Sequence, residues 1–225
     1  LYAHLEQHNK TAFVNLDDEI QKEKTANMSR YTFAVDSYNC DVRIETVKAN
    51  PMVVVKYKDV DVRSNLIGLY NANNINAAIA IGTFFKISID KIKTAIEGYV
   101  PANNRSQLVA KNGNNIILDA YNANPSSMDA ALDNFSQLNW NSKLAILGDM
   151  FELGKDSLHE HRQLVTKMAA RNSIEAYFIG KDFYANRVEE PHLSFFATYD
   201  EFKEHFAAVK PIIKTILIKG SRGMA

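Results

Sequence analysis

Four short polar runs each close an apolar segment: Asp119-Ala120-Tyr121-Asn122, Gly148-Asp149, Gly180-Lys181 and Lys219-Gly220-Ser221-Arg222. If the apolar segments are strands of an open parallel sheet, these runs fall at the carboxyl ends, where ligands of such sheets bind. Glycine lets backbone N–H groups come close to a ligand. Lys, Ser and Arg add cationic and hydroxyl donors suited to phosphate or carboxylate. The chemistry such an edge supports is the recognition of an anion. Glycine also follows parallel strands simply because the turn is tight, and Gly148 and Gly180 read that way. Asp119 lies too early to cap a helix that begins near Pro125.

The familiar nucleotide loops, Gly-x-Gly-x-x-Gly and Gly-x-x-x-x-Gly-Lys-[Ser/Thr], do not occur. His159 and His161 stand two apart and do not share a helix face, so no metal site is expected. Asp149, Glu152, Asp156 and Glu160 read as helix-start and loop carboxylates, and His4, His8, His192 and His205 as solvated surface.

The elements that must position these residues show in the hydrophobic pattern. From Asn115 onward strands and helices alternate. The expected strands are 116–118, 144–147, 176–179, 193–197 and 215–218. The expected helices are 126–138, 158–171, a short one near Phe183, and 200–209. Met128, Ala131, Leu132, Phe135 and Leu138 form one apolar stripe, and Asn124-Pro125 supplies an N-cap and a first-turn proline. This alternation predicts a Rossmann-like parallel α/β domain covered on both faces. Before it, short strands at 11–15, 31–35, 42–47, 52–57 and 60–63 read as the edge of a mixed sheet, with Lys58-Asp59 as a hairpin turn. A helix follows over 71–85, with Ile75, Ala78, Ile79 and Gly82 on one face and Asn71 at the N-cap position, then a second over 89–98. The turn-rich Pro101-Ala102-Asn103-Asn104 is the expected boundary, dividing the chain into 1–100 and 101–225.

Composition narrows the class further. Of 225 residues, 46% are hydrophobic and 23% charged, as in ordinary globular proteins. Lys+Arg and Asp+Glu both number 26, so no global field steers the chain toward nucleic acid or an anionic membrane. The single cysteine, Cys40, excludes an intramolecular disulfide and a cysteine-based zinc site. No apolar run has the length of a membrane span, and no signal peptide is visible, so the cytoplasm is the expected compartment. Leu1 to Leu5 read like the middle of a helix, and the last strand leads into a glycine turn, so a longer parent protein is expected.

Taken together, the motifs resemble the Mur ligase family. Leu69-Tyr70-Asn71-Ala72-Asn73-Asn74-Ile75-Asn76-Ala77-Ala78 is similar to its His-Asn-x-x-Asn-x-x-Ala-Ala pattern, with Tyr70 in place of the histidine. Asp119-Ala120-Tyr121-Asn122-Ala123-Asn124-Pro125-Ser126-Ser127-Met128 resembles the stretch of the branch that adds a dipeptide to a UDP-linked muramoyl tripeptide. Leu147 to Gly154 and Ile218 to Arg222 match the same branch, and the four motifs stand in order along nearly the whole chain.

The resemblance implies a three-domain ATP-dependent ligase of peptidoglycan precursor synthesis. Residues 1–100 would be the later part of its central ATP-binding domain, and 101–225 a C-terminal ligase domain truncated at its end. The family's P-loop and most magnesium ligands would lie upstream, so this fragment alone would be inactive. ATP would phosphorylate the carboxylate of UDP-N-acetylmuramoyl-tripeptide with Mg2+ as cofactor. The amine of D-alanyl-D-alanine would then attack the acyl phosphate. Position by position, the resemblance puts Asn71 and Asn74 at the adenine edge, Arg105 at the ATP phosphates and Asp119 at the ribose hydroxyls. It puts Tyr121, Asn122 and Asn124 near the join of nucleotide and peptide, and Lys219, Ser221 and Arg222 at the incoming dipeptide. Asn104 replaces the glycine that precedes the arginine in the family. A monomer that binds neither nucleic acid nor membrane is expected. Two alternatives stand: a Mur-type ligase joining another amino acid, separated by the run Tyr121–Pro125, and a non-catalytic Rossmann-like binding module.

Overall fold

The computed structural model describes residues 1–102, 104–209 and 214–224. Asn103 of the expected boundary lies outside them. The chain divides into two compact units, Leu1–Val100 and Pro101–Ala225.

The first unit is mixed α/β. It opens with α1 (Tyr2–Gln7), β1 (Ala12–Asn15), α2 (Glu19–Lys24) and β2 (Arg30–Ala34). It continues with β3 (Val42–Arg43), β4 (Thr46–Ala49), β5 (Met52–Tyr57) and β6 (Val60–Ile67), and ends with α3 (Ala72–Phe84) and α4 (Ile89–Gly98). Instead of one mixed sheet there are two, a parallel β1-β2-β3 and an antiparallel β4-β5-β6. The run 42–47, expected as one strand, serves both. Its alternation persists because the backbone stays extended, but the hydrogen-bond partner changes: Ile44 N–H donates to Ala34 O and Glu45 N–H to Lys56 O. Lys58 and Asp59 take φ of 49° and 61°, which is the conformation a two-residue hairpin turn between twisted strands requires.

Helix α3 buries Ala72, Ile75, Asn76, Ile79 and Ala80, while Ala78, expected on the same face, is exposed. Asn71 precedes the helix as expected but makes no side-chain cap bond. The buried set joins Phe33, Val53, Val55 and Val62 in the core of this unit.

The second unit is built on β7 (Gln107–Lys111), β8 (Asn114–Asp119), α5 (Pro125–Gln137), β9 (Lys143–Gly148) and α6 (Ser157–Ala169). It is completed by β10 (Ile174–Ile179), α7 (Lys181–Ala185), β11 (Leu193–Phe196), α8 (Tyr199–Val209) and β12 (Thr215–Lys219). The sheet order is β11-β10-β9-β12-β8-β7. Strands β8 to β12 are parallel, and β7 is an antiparallel edge paired with β8 through Asn112-Gly113, whose φ values are 51° and 76°. Because β7 runs the opposite way, its first residue lies beside the carboxyl end of β8, with Gln107 opposite Leu118.

The crossovers through α5 and α6 advance along the sheet and the one through α8 returns. Right-handed connections therefore set them on opposite faces. The α8 face carries Leu144, Ile146, Tyr177, Ile179 and Ile216 against Phe202 and Phe206. The stripe Met128, Ala131, Leu132 and Phe135 of α5 is buried as its 3.6-residue spacing predicts. Among the described residues no helix is long and apolar enough to cross a membrane.

Candidate functional site

The carboxyl edge of the second sheet gathers the residues singled out by type. Register places Lys219 directly opposite Asp119 on adjacent parallel strands. Their side chains meet, Lys219 Nζ to Asp119 Oδ2 at 2.7 Å, and are 3% and 15% exposed. Asp119 Oδ1 accepts from the backbone N–H of Ser106 at 3.1 Å and from its hydroxyl at 3.2 Å. Asp119, expected at a ribose, thus already holds three donors. Lys219, expected at the dipeptide, is buried against Asp119 and reaches the Asn122 carbonyl at 3.4 Å.

Ser221 is also committed. Its hydroxyl accepts from Phe151 N–H at 2.8 Å, and its own N–H donates to the Asp149 carbonyl at 3.2 Å. It ties the ends of β9 and β12 together where Gly220 and Gly148 touch. A Cβ on Gly220 would lie 3.1 Å from the Gly148 Cα, so this close approach excludes larger residues. Asn124 caps α5 in a reciprocal box, its Oδ1 accepting from Ser127 N–H at 2.9 Å. Asn122 Oδ1 accepts from Ala123 N–H.

Arg105, Tyr121 and Arg222 are arranged differently. The Arg105 guanidinium lies 3.5 Å from the centre of the Tyr121 ring, and that of Arg222 lies 5.8 Å from it. All three side chains reach solvent. Arg105 sits between Asn104 and Ser106, which adopt φ of 58° and 47°. The left-handed position at Asn104 accounts for the glycine of the family pattern, and Asn is the residue that best tolerates it after glycine. The structure therefore brings Arg105, Asp119, Tyr121, Lys219, Ser221 and Arg222 to one edge, where β7, β8 and β12 meet the loop after β9.

Asn71 and Asn74 lie in the first unit. Asn74 Nδ2 donates to Asn71 Oδ1 at 3.2 Å, and Asn71 Nδ2 donates to the Ile67 carbonyl at 2.7 Å. Asn71 is buried and Asn74 exposed, so Asn74 is the carboxamide that presents polar atoms outward.

Sequence reasoning missed one buried polar centre. Asp149, read as a loop carboxylate, is 5% exposed and accepts from the backbone N–H groups of Asp182 and Phe183 at 3.1 and 3.0 Å. Burial pushes its carboxyl above the ordinary range, against the pull of these donors. His161 is fully buried; Nδ1 donates to Ser157 O at 2.7 Å and Nε2 accepts from Met150 N–H at 3.0 Å. Asp149 Oδ1 is 3.5 Å from that Nε2, but the nitrogen has no proton to give, so this is a contact and not an ion pair. Asp149, His161 and Asp182 bring ligand atoms within 4.8 Å of one another. The donor set does not fit a metal. The imidazole lone pair is directed at an amide hydrogen, and both Asp149 oxygens accept from backbone. Gly180, at φ 126°, was the available signal, because a Cβ there would lie 2.2 Å from Asp149 Cγ.

A cavity of about 700 Å3 opens on the α8 face, lined by Ile116, Leu118, Ile146, Phe202, Phe206 and Ile218 among others. Its walls are mostly apolar, with Lys219 and Ser221 at the margin, and include neither Arg105, Tyr121 nor Arg222.

The fold is a six-stranded Rossmann-like α/β domain with cationic groups at the carboxyl edge of its sheet, in a chain with a second α/β unit. The chain belongs to the Mur ligase family: residues 104–222 match the Mur ligase, glutamate ligase domain, and residues 1–82 match the Mur ligase middle domain. It is 27% identical over 176 residues to UDP-N-acetylmuramoyl-tripeptide--D-alanyl-D-alanine ligase of Rickettsia prowazekii, covering 76% of this chain and 38% of that protein. The chain thus spans well under half of that relative's length. The crystal structure of MurF from Acinetobacter baumannii superposes with a TM-score of 0.79 at 25% identity, over 96% of this chain and 49% of that one. MurF ligase from Thermotoga maritima in complex with ADP shares the fold, with a TM-score of 0.76 at 18% identity over 96% and 51% of the two chains.

Proposed function

We propose that this chain is the later part of the ATP-binding domain (1–100) and the C-terminal domain (101–225) of an ATP-dependent amide ligase. The ligase adds D-alanyl-D-alanine to UDP-N-acetylmuramoyl-tripeptide in peptidoglycan precursor synthesis. The observation that carries the reading is the pair of guanidinium groups gathered on Tyr121 at the ligand edge of the sheet. A carboxylate is a poor electrophile until it is phosphorylated, and an acyl phosphate is stabilised by cations held in place beforehand. The name of the Rickettsia relative supports the substrate assignment.

In this reading Arg105 and Arg222 bind phosphate or carboxylate oxygens. Asp119 orients the Arg105 turn through Ser106 and keeps lone pairs toward a ribose. Asn74, backed by Asn71, faces adenine. Tyr121 and Asn122 border the join of nucleotide and peptide. Asn124 fixes the start of α5, and Lys219 and Ser221 brace the edge. ATP supplies the phosphoryl group, with magnesium held mainly by residues upstream of this chain.

The test uses the full-length protein with ATP, magnesium and UDP-N-acetylmuramoyl-tripeptide, measuring phosphate released on addition of D-alanyl-D-alanine. Dipeptide-dependent release is expected. Arg105→Ala should lower turnover about 100-fold or more while leaving the fold intact. No release with wild-type protein would sink the reading, and unchanged turnover in the variant would remove Arg105 from the site.

A further inference from the structure

Arg105 and Arg222 approach the ring of Tyr121 from loops that enter β7 and leave β12, 117 positions apart in the chain. Among the described residues neither has a carboxylate or hydrogen-bond partner; their only contacts of this kind are with that ring. Asp119, the nearest acid by register, is neutralised by Lys219. Two positive charges without a carboxylate partner among the described residues therefore gather around one exposed ring. Repulsion would part them in water unless something held them, and the electron-rich face of an aromatic ring does so. The N-terminus of α5, a 13-residue helix, begins four residues after Tyr121 and adds its own positive end.

We propose that Tyr121 is the positioning residue that holds Arg105 and Arg222 as one binding site for a phosphate dianion. The ligand class follows from charge and shape. Two guanidinium forks match a tetrahedral dianion better than a single carboxylate, which one fork satisfies. The dianion comes either from the end of a nucleotide or from an acyl phosphate; the assignment of those sources rests on the ligase reading, whereas the site itself does not. The ring acts through its face and not through its hydroxyl, for which no hydrogen bond is formed with either arginine.

The test is titration of this chain with tripolyphosphate, acetyl phosphate and acetate, following the arginine Nε–Hε resonances by NMR. Both Arg105 and Arg222 should shift on one shared isotherm with each phosphate probe, and acetate should bind more weakly. The tighter phosphate probe names the source. Tyr121→Leu should weaken phosphate binding roughly 3- to 10-fold, whereas Tyr121→Phe, which keeps the ring, should stay within about twofold. Tyr121 is 38% exposed, so both variants are compatible with the fold. In the full-length protein Tyr121→Leu should lower kcat with little change in KM for the dipeptide, and Tyr121→Phe should restore it. Separate isotherms for the two arginines, wild-type affinity in Tyr121→Leu, equal losses in the Leu and Phe variants, or acetate binding as tight as phosphate would each overturn the proposal. If the shared isotherm is found but the full-length protein releases no phosphate, the ligase reading fails and the site stands. If the protein turns over while the isotherms separate, the site alone fails.

Discussion

Replacing Lys219 with Met should destabilise the second unit by about 3 kcal/mol, far more than its position at the end of a strand suggests. The change removes the ammonium 2.7 Å from Asp119 and leaves a carboxylate only 15% exposed. Breaking a buried pair by deleting one partner costs about 3–5 kcal/mol, because the remaining charge is uncompensated. The low end applies here, since the Ser106 N–H and hydroxyl still donate to Oδ1. Asp119→Asn should cost more, about 4 kcal/mol. The ammonium left behind is 3% exposed and retains only the Asn122 carbonyl at 3.4 Å. A buried ammonium can escape by shedding its proton, which caps such a loss at about 4–5 kcal/mol at neutral pH. The double variant should lose about 2–3 kcal/mol less than the sum of the two, since it leaves no orphaned charge. Urea unfolding followed by Trp140, the one tryptophan in the sequence, reports on this unit alone. A Lys219→Met variant within about 1 kcal/mol of wild type, or additivity of the pair within about 0.5 kcal/mol, would refute the view that the pair is a buried, coupled unit.

Two further outcomes concern the buried centre behind that edge. Gly180→Ala should cost about 3 kcal/mol or more by the same assay, because the residue adopts φ 126° and its Cβ would meet an Asp149 carboxylate anchored by two amide donors; a loss under 1 kcal/mol would show that Asp149 moves freely. Asp149, raised above the usual 3.8 by burial, binds a proton more readily folded than unfolded, so its contribution is fully present below 3.8 and is lost as pH rises through the folded value. Wild-type stability measured relative to Asp149→Asn should accordingly fall with rising pH across that window, and a flat difference would contradict the assignment.

Much of the second unit is legible in the sequence because its elements obey simple periods. The stripe of α5 and the apolar strands β9, β10 and β12 lie within a few residues of their expected bounds. Strand β7 is not legible by pattern, since Gln107–Lys111 is an exposed edge with no buried face to impose alternation. Its signal was the Asn112-Gly113 dipeptide, a strong hairpin marker. In the first unit, alternation over 42–47 reports an extended backbone but not which neighbour receives its hydrogen bonds. The same limit governs the site. Residue types placed Asp119 and Lys219 at strand ends, yet that they satisfy each other depends on a register between strands 100 positions apart. His161 was weighed against His159 as a metal pair, whereas its real partners are backbone groups, which sequence patterns do not reveal.

The edge therefore works in two layers, and the buried one explains the exposed one. Arg105 is flanked by two non-glycine residues with positive φ, each costing about 1–3 kcal/mol. Such a turn persists only if its surroundings hold it. Ser106 does so by donating both its N–H and its hydroxyl to Asp119, and Asp119 is in turn anchored by Lys219. The chain Lys219–Asp119–Ser106 thus braces the backbone of Arg105, and the Tyr121 ring lies 3.5 Å from its guanidinium. An arginine on a loose loop would lose that freedom on meeting its ligand, at about 0.5–1.5 kcal/mol for the side chain alone. Here the freedom is given up on folding, so in the proposed site Asp119, Ser106 and Lys219 serve to hold one cation in place for the anion.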